Sequence, residues 1–283
     1  MRSVFVLTLL ASIAAQTASA TPLALSYSVG AGAAGTYETF DSMGSAGTRT
    51  PGVVNGAAWD SYWSMIVGGL APTEQYASLR VAGANNPAVD AYNGGLVGAA
   101  DRAIGLYTTS NTNPTRNMTA RFSNATGAAL SAFYLQFDIE FWIQRNTGRW
   151  GGLQAWYSPD GATWTNLGNT FEGTLVNTTN SAGLVDGNAA ANSIRGVGGQ
   201  VNLTSLSLAP IAANGTFYLR FSGSTGLTTP TGINANQNRN VGAFLDNMWV
   251  GTMSRALVPE PGTSLMLALG LTGLAWRGRK QRA

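Results

Sequence analysis

The chain has no cysteine, no histidine and a single lysine, Lys280, and only a tenth of its 283 residues carry charge. Each absence removes a class of chemistry whatever the fold. Without cysteine there is no disulfide framework and no thiolate nucleophile. Without histidine there is no serine–histidine or cysteine–histidine couple. The nitrogen and sulfur ligands that define zinc and copper sites are missing too, so oxygen-ligated calcium is the metal chemistry that stays open. The lone lysine sits at the extreme C-terminus, which leaves none in the body to act as a Schiff-base former. No long apolar pattern of helical period runs through the body. Carboxylates, amides, hydroxyls and aromatic rings are what remain.

The net charge of +3 is misleading. Arg2 lies in an N-terminal leader, and Arg277, Arg279, Lys280 and Arg282 lie in the C-terminal tail together with Glu260. Between Thr21 and Val258 that leaves eleven arginines against twelve carboxylates, a balance of −1. No basic patch points to nucleic acid, and none is expected as a partner.

The two ends read as addresses. At the start, Met1-Arg2 precedes an uncharged apolar run from Val4 to Ala15, and Ala18-Ser19-Ala20 forms a small-x-small site. This predicts a secretory signal peptide over residues 1–20, cleaved between Ala20 and Thr21. At the other end, Pro259-Glu260-Pro261 is followed by the apolar run Ser264 to Trp276 and then by the arginine cluster. Thirteen residues make a helix of about 20 Å, short of the roughly 30 Å hydrocarbon core. Position and the basic end nevertheless predict a single transmembrane helix with its arginines on the cytoplasmic side.

Residues 257–283 resemble the PEP-CTERM sorting signal of Gram-negative bacteria: the triplet, the helix and the closing arginines stand in the same order. The resemblance implies recognition by exosortase, a membrane-embedded cysteine protease, with the chain held in the inner membrane by its C-terminal helix until it is cut near the triplet. It also implies release to the cell surface or beyond, and an association with exopolysaccharide and biofilm.

Residues 21–256 predict one all-β domain. Short aromatic and β-branched runs alternate with Gly, Asn and Asp turns. The clearest strand is Phe133 to Ile143, with Phe133, Leu135, Phe137, Ile139, Phe141 and Ile143 on a core face and Tyr134, Gln136, Asp138, Glu140, Trp142 and Gln144 opposite. Leu153 to Ser158 is expected as its return strand in a central hairpin. Gly215 to Ser222 and Val241 to Val250 are further strands, and Gly173 to Gly199 reads as a long irregular loop. Glu38 to Gly44, the central hairpin and Phe244 to Val250 together resemble secreted jelly-roll domains of the carbohydrate-binding and concanavalin-like β-sandwich kind, in which the first strand often pairs with the last.

Gln136-Phe137-Asp138-Ile139-Glu140 is similar to the Glu-x-Asp-x-Glu strand of laminarinase-like glycoside hydrolases. Glu140 matches the acid/base of that family and Asp138 its helper, but Gln136 stands where the nucleophile belongs. A neutral amide forms no glycosyl-enzyme intermediate. The chain is therefore expected not to be an enzyme, with Asp138 and Glu140 paired to Arg145, Arg149 or Arg220. Tyr134, Glu140, Trp142 and Trp156 are expected on one face as a glycan-binding set, since aromatic faces stack on sugar rings. Ser158 to Trp164 is near the Asp-box turn of sialidases, one residue short, and predicts a hairpin. Asp246 is expected to point inward beside Phe244, Met248 and Val250, held by hydrogen bonds or by a structural calcium. No other cofactor is expected. The expected role is that of a non-catalytic surface or extracellular-matrix protein; the alternatives are a carbohydrate-binding module, with extracellular polysaccharide as its ligand, and behind it a jelly-roll glycoside hydrolase.

Overall fold

The computed structural model describes residues 27–30, 35–41, 63–67, 90–96, 99–107, 116–144, 148–178, 183–231, 233 and 241–255. The leader, the Ala20–Thr21 junction, the Pro259-Glu260-Pro261 triplet and the tail helix lie outside them. Among the described residues no helix is long and apolar enough to cross a membrane.

Among the described residues fourteen strands build two sheets. Sheet A contains β1 (Tyr27–Val29), β3 (Trp63–Val67), β6 (Arg116–Asn124), β8 (Trp150–Ser158), β9 (Thr165–Asn166), β10 (Glu172–Val176) and β13 (Thr216–Ser222), in the order β1-β6-β13-β8-β10, with β3 also on β6 and β9 on β8. Sheet B contains β2 (Gly35–Glu38), β4 (Asp90–Gly94), β5 (Ala103–Tyr107), β7 (Ala132–Gln144), β11 (Gly183–Leu184), β12 (Ser193–Asn202) and β14 (Gly242–Gly251), in the order β11-β7-β14-β5-β4, with β12 also on β7 and β2 on β14. The pairing of β2 with β14 joins an early strand to the last one, as the jelly-roll resemblance implies.

Aromatic side chains from facing strands close the sandwich. Phe137 of sheet B meets Phe221 of sheet A edge to face at 5.0 Å, and Phe133 lies 5.1 Å from Phe217. Phe217 also stacks on Phe122 and Tyr157. Such pairs each add about 0.5–1.5 kcal/mol beyond the burial of their area. The period-two alternation of β7 places Phe133, Leu135, Phe137, Ile139 and Phe141 in this core.

Four expectations need correction. Ile143 leaves the main core: a bulge opposite Gly242 and Ala243 shifts the end of β7, so Trp142 and Ile143 both join a small second cluster with Ala103, Tyr107 and Phe244. The central hairpin does not form. β7 pairs with β12 and β14, whereas β8 pairs with β13, β10 and β9, so the chain crosses from one layer to the other between them. A short turn followed by an alternating strand looks the same in sequence whether the strand returns in its own sheet or in the facing one. The stretch Gly173 to Gly199 is not one long loop, since it supplies most of β10, the two residues of β11 and most of β12. Its glycines hid β12 because they carry no β propensity. Finally, β14 does not keep one alternation throughout, which moves Asp246 to the other face, as described below. The turn at Ser158-Pro159-Asp160-Gly161 does form the expected hairpin between β8 and β9. The Asp160 carboxylate accepts the Ala162 and Thr163 amides, which hold its pKa down to about 2.

Candidate functional site

The outer face of sheet B carries the polar constellation, and two bulges create it. On one side of β7, Ile194 pairs with Ile139 and Val197 with Phe137, so Arg195 and Gly196 together oppose Asp138. Gly196 at φ +68 and Gly198 at φ +121 adopt the conformations this demands. On the other side, Asp246 pairs with Asp138 and Trp249 with Gln136, so Asn247 and Met248 together oppose Phe137. Asn247 takes φ 49, a left-handed value that asparagine tolerates. Both irregularities converge on residues 137 and 138.

The second bulge reverses the expected facing of Asp246. Met248 and Val250 lie in the main core together with Leu245, whereas Asp246 pairs beside Asp138 on the outer face with Phe244. Asp246 is still buried, at 1 % exposure. It is a sealed carboxyl outside the sandwich core.

One guanidinium sits among three carboxyl groups. Arg195 Nη1 lies 3.1 Å from Asp138 Oδ2, 3.1 Å from Glu140 Oε1 and 3.9 Å from Asp246 Oδ2. The partner is therefore neither Arg149 nor Arg220, and Arg145 lies outside the described residues. The Gly196 amide donates to Asp138 Oδ1 at 2.7 Å. Asn247 Nδ2 donates to Asp246 Oδ2 at 2.7 Å and to Asp138 Oδ2 at 3.1 Å. The Trp142 indole N–H donates to Glu140 Oε2 at 2.7 Å. Tyr37 donates to Asn247 Oδ1, and Arg255 Nη2 donates to the Tyr37 oxygen at 2.8 Å while its guanidinium stacks on the ring. The network thus ties β12, β7, β14 and β2 together.

Its electrostatics follow from burial. Glu140 is 1 % exposed, and desolvation pushes its pKa up to about 7 against the pull of the Trp142 hydrogen bond and Arg195. Asp246 is pushed up to about 9, first by desolvation and then by the charge of Glu140. Its Oδ1 is buried without a hydrogen-bond partner. Arg195 itself is 43 % exposed and Asp138 14 %. The cluster is a half-open guanidinium over two sealed carboxyls. Among the described residues no group of three or more acidic side chains is arranged to hold a metal ion. Among the described residues the cation that Asp246 meets is Arg195.

The four residues expected to form a glycan-binding set do not share one surface. Tyr134 lies on the outer face of sheet B, four residues along β7 from Asp138, roughly 13 Å away at the strand rise. Glu140 is sealed. Trp142 is buried at 1 % exposure, with Gly94 and Gly187 closing over its ring. Trp156 belongs to the other sheet, because β8 crosses layers. There Arg220 stacks over it at 4.9 Å and over Trp164 at 4.4 Å. Arg195, the residue that organises the face, carries no signal in the sequence, since its place depends on a bulge in a strand that reads as loop.

Residues 257–280 match the family described as the PEP-CTERM protein-sorting motif. No curated protein matches the chain in sequence. Among solved structures it is similar to a family 28 carbohydrate-binding module specific for non-crystalline cellulose, with 9 % identity and a TM-score of 0.34 over 69 % of this chain and 90 % of that one. It is also similar to the K2 cleaved adhesin domain of Lys-gingipain, with 14 % identity and a TM-score of 0.37 over 78 % of this chain and 99 % of the other. Likeness at this distance says nothing of ligand or activity. The chain thus carries a PEP-CTERM protein-sorting motif at residues 257–280, behind a body whose two packed sheets form a β-sandwich.

Proposed function

We propose that the sandwich is a non-catalytic binding module that works at the cell surface or in the surrounding matrix, where its ligand is extracellular polysaccharide. On this reading a signal peptide ending at Ala20 starts export. The C-terminal helix then holds the chain in the inner membrane until exosortase cuts near Pro259-Glu260-Pro261. No cofactor is required.

The observation that carries the non-catalytic part is the position of Arg195. A glycoside hydrolase of the two-carboxylate type needs an acid and a base, or an acid and a nucleophile, facing an open cleft. Here Gln136 takes the nucleophile position, and Glu140 has one oxygen on the Trp142 indole and the other beside Arg195. Asp246 is closed off beneath the same guanidinium. The acids serve as a strand-to-strand tie.

The test is retention of the full-length protein on immobilised polysaccharides, with release of reducing sugar followed on the same material. Retention without release, unchanged in Glu140→Gln, is the expected result. Reducing ends that appear with the native protein and vanish with Glu140→Gln would overturn the reading.

A further inference from the structure

The outer face of sheet A holds an arginine that no other described residue pairs with. Arg220 lies on β13 between Thr119 of β6 and Trp156 of β8. Its guanidinium is clamped, 4.9 Å from the Trp156 ring and 4.4 Å from the Trp164 ring. Among the described residues it has neither a hydrogen-bond acceptor nor an ion-pair partner. Its Nε is buried without an acceptor, and so is the neighbouring Trp156 indole nitrogen. The ion pairs seen between described residues are those of Arg195 on the other sheet. Of the described carboxylates on sheet A and its connections, Asp160 accepts turn amides and Glu172 accepts from Thr228.

A guanidinium is a planar fork of five donors, shaped to take a carboxylate two bonds at a time. Two indoles fix this fork in advance, which lowers the ordering cost of binding. Burial without a counter-charge lowers the pKa of Arg220 to about 10, so a bound anion restores what desolvation removed. The anion has to be modest. The body as a whole is close to neutral, whereas nucleic acids and anionic membranes are held by several cations together. One fixed cation beside partly exposed aromatic rings suits a sugar ring that bears a carboxylate. The ring then stacks on indole and the acid meets the fork.

We propose that Arg220, held between Trp156 and Trp164, is the binding site for uronic-acid residues of an acidic polysaccharide. This rests on the polysaccharide reading above and names its ligand class. The experiment is affinity electrophoresis of full-length protein in detergent through gels containing polygalacturonate, fully methyl-esterified polygalacturonate or a neutral β-glucan. Near-ultraviolet circular dichroism reports folding. Retardation by polygalacturonate is expected, with a loss of about tenfold in affinity on esterification, the scale of one charge-assisted hydrogen bond. Folded Arg220→Lys and Trp164→Ala are expected to lose a similar factor. Equal retardation by the acid and its ester, or unchanged binding by Arg220→Lys, overturns the proposal. Retardation by the neutral glucan alone overturns it too but leaves the polysaccharide reading standing. No retardation by any of the three, from folded protein, removes both. Binding to duplex DNA or to phosphatidylglycerol vesicles with none to polygalacturonate assigns the site to another anion and overturns it as well.

Discussion

Arg195 and Glu140 lie 3.1 Å apart, one 43 % exposed and the other sealed from water. The pair is asymmetric, and so are the consequences of breaking it. Removing the guanidinium strands a buried carboxylate, whereas removing the carboxylate frees a cation that already reaches solvent. Arg195→Ala is expected to cost about 1–2 kcal/mol at pH 8, below the loss for a fully buried pair because the arginine is solvated. At pH 5, with Glu140 and Asp246 both protonated, the cost falls to the small value of the Asp138 contact. Urea midpoints at the two pH values test this, and equal losses at both would contradict it.

The same two acids set how stability depends on pH. Their folded pKa values, about 7 and about 9, lie above the usual carboxylate range. Between that range and those values the folded state binds more protons than the unfolded state, so stability falls as pH rises. The fall begins above about pH 4, runs through about 7 for Glu140 and ends near 9 for Asp246. Asp246→Asn removes the upper part of the slope. Unfolding curves from pH 4 to 9 check both the sign and its change in the variant.

Gly198 holds the second half of β12 in register. It sits at φ +121, and a Cβ there would meet the Leu135 carbonyl oxygen at 2.1 Å. Gly198→Ala is expected to destabilise the protein by about 1–3 kcal/mol through backbone strain and overpacking. Faster hydrogen exchange should be confined at first to β12 and its partner amides on β7.

Phe217 is the hub of the aromatic core, within 5.9 Å of Phe122, Phe133 and Tyr157. Phe217→Ala is expected to cost about 3–5 kcal/mol, a large share of the whole stability of a domain. Thermal unfolding measures it directly, and a loss below 1 kcal/mol would contradict this packing.

Regular alternation was legible and local irregularity was not. The run from Phe133 to Phe141 alternates cleanly and lines the core as its pattern requires. The residue pattern points Asp246 inward, but a bulge at Asn247 and Met248 shifts the alternation by one, and nothing in the residue types forces that shift. Arg195 was invisible for the same reason on the other side of Asp138. A hairpin of β7 with β8 would put Trp156 on the face of Glu140, whereas β8 lies in the facing sheet. Pairing across layers is set by the whole core, through contacts such as Phe133 with Tyr157 and Phe217. The tail could be read directly, because a sorting signal is recognised as a linear order of residues.

The most direct test of the account is the intact mass of the protein recovered from the culture medium and from the membrane fraction. The account predicts a released species that begins at Thr21 and ends near Pro259, with the sandwich complete and the apolar tail gone. Only full-length protein, confined to the membrane and ending at Ala283, would contradict it.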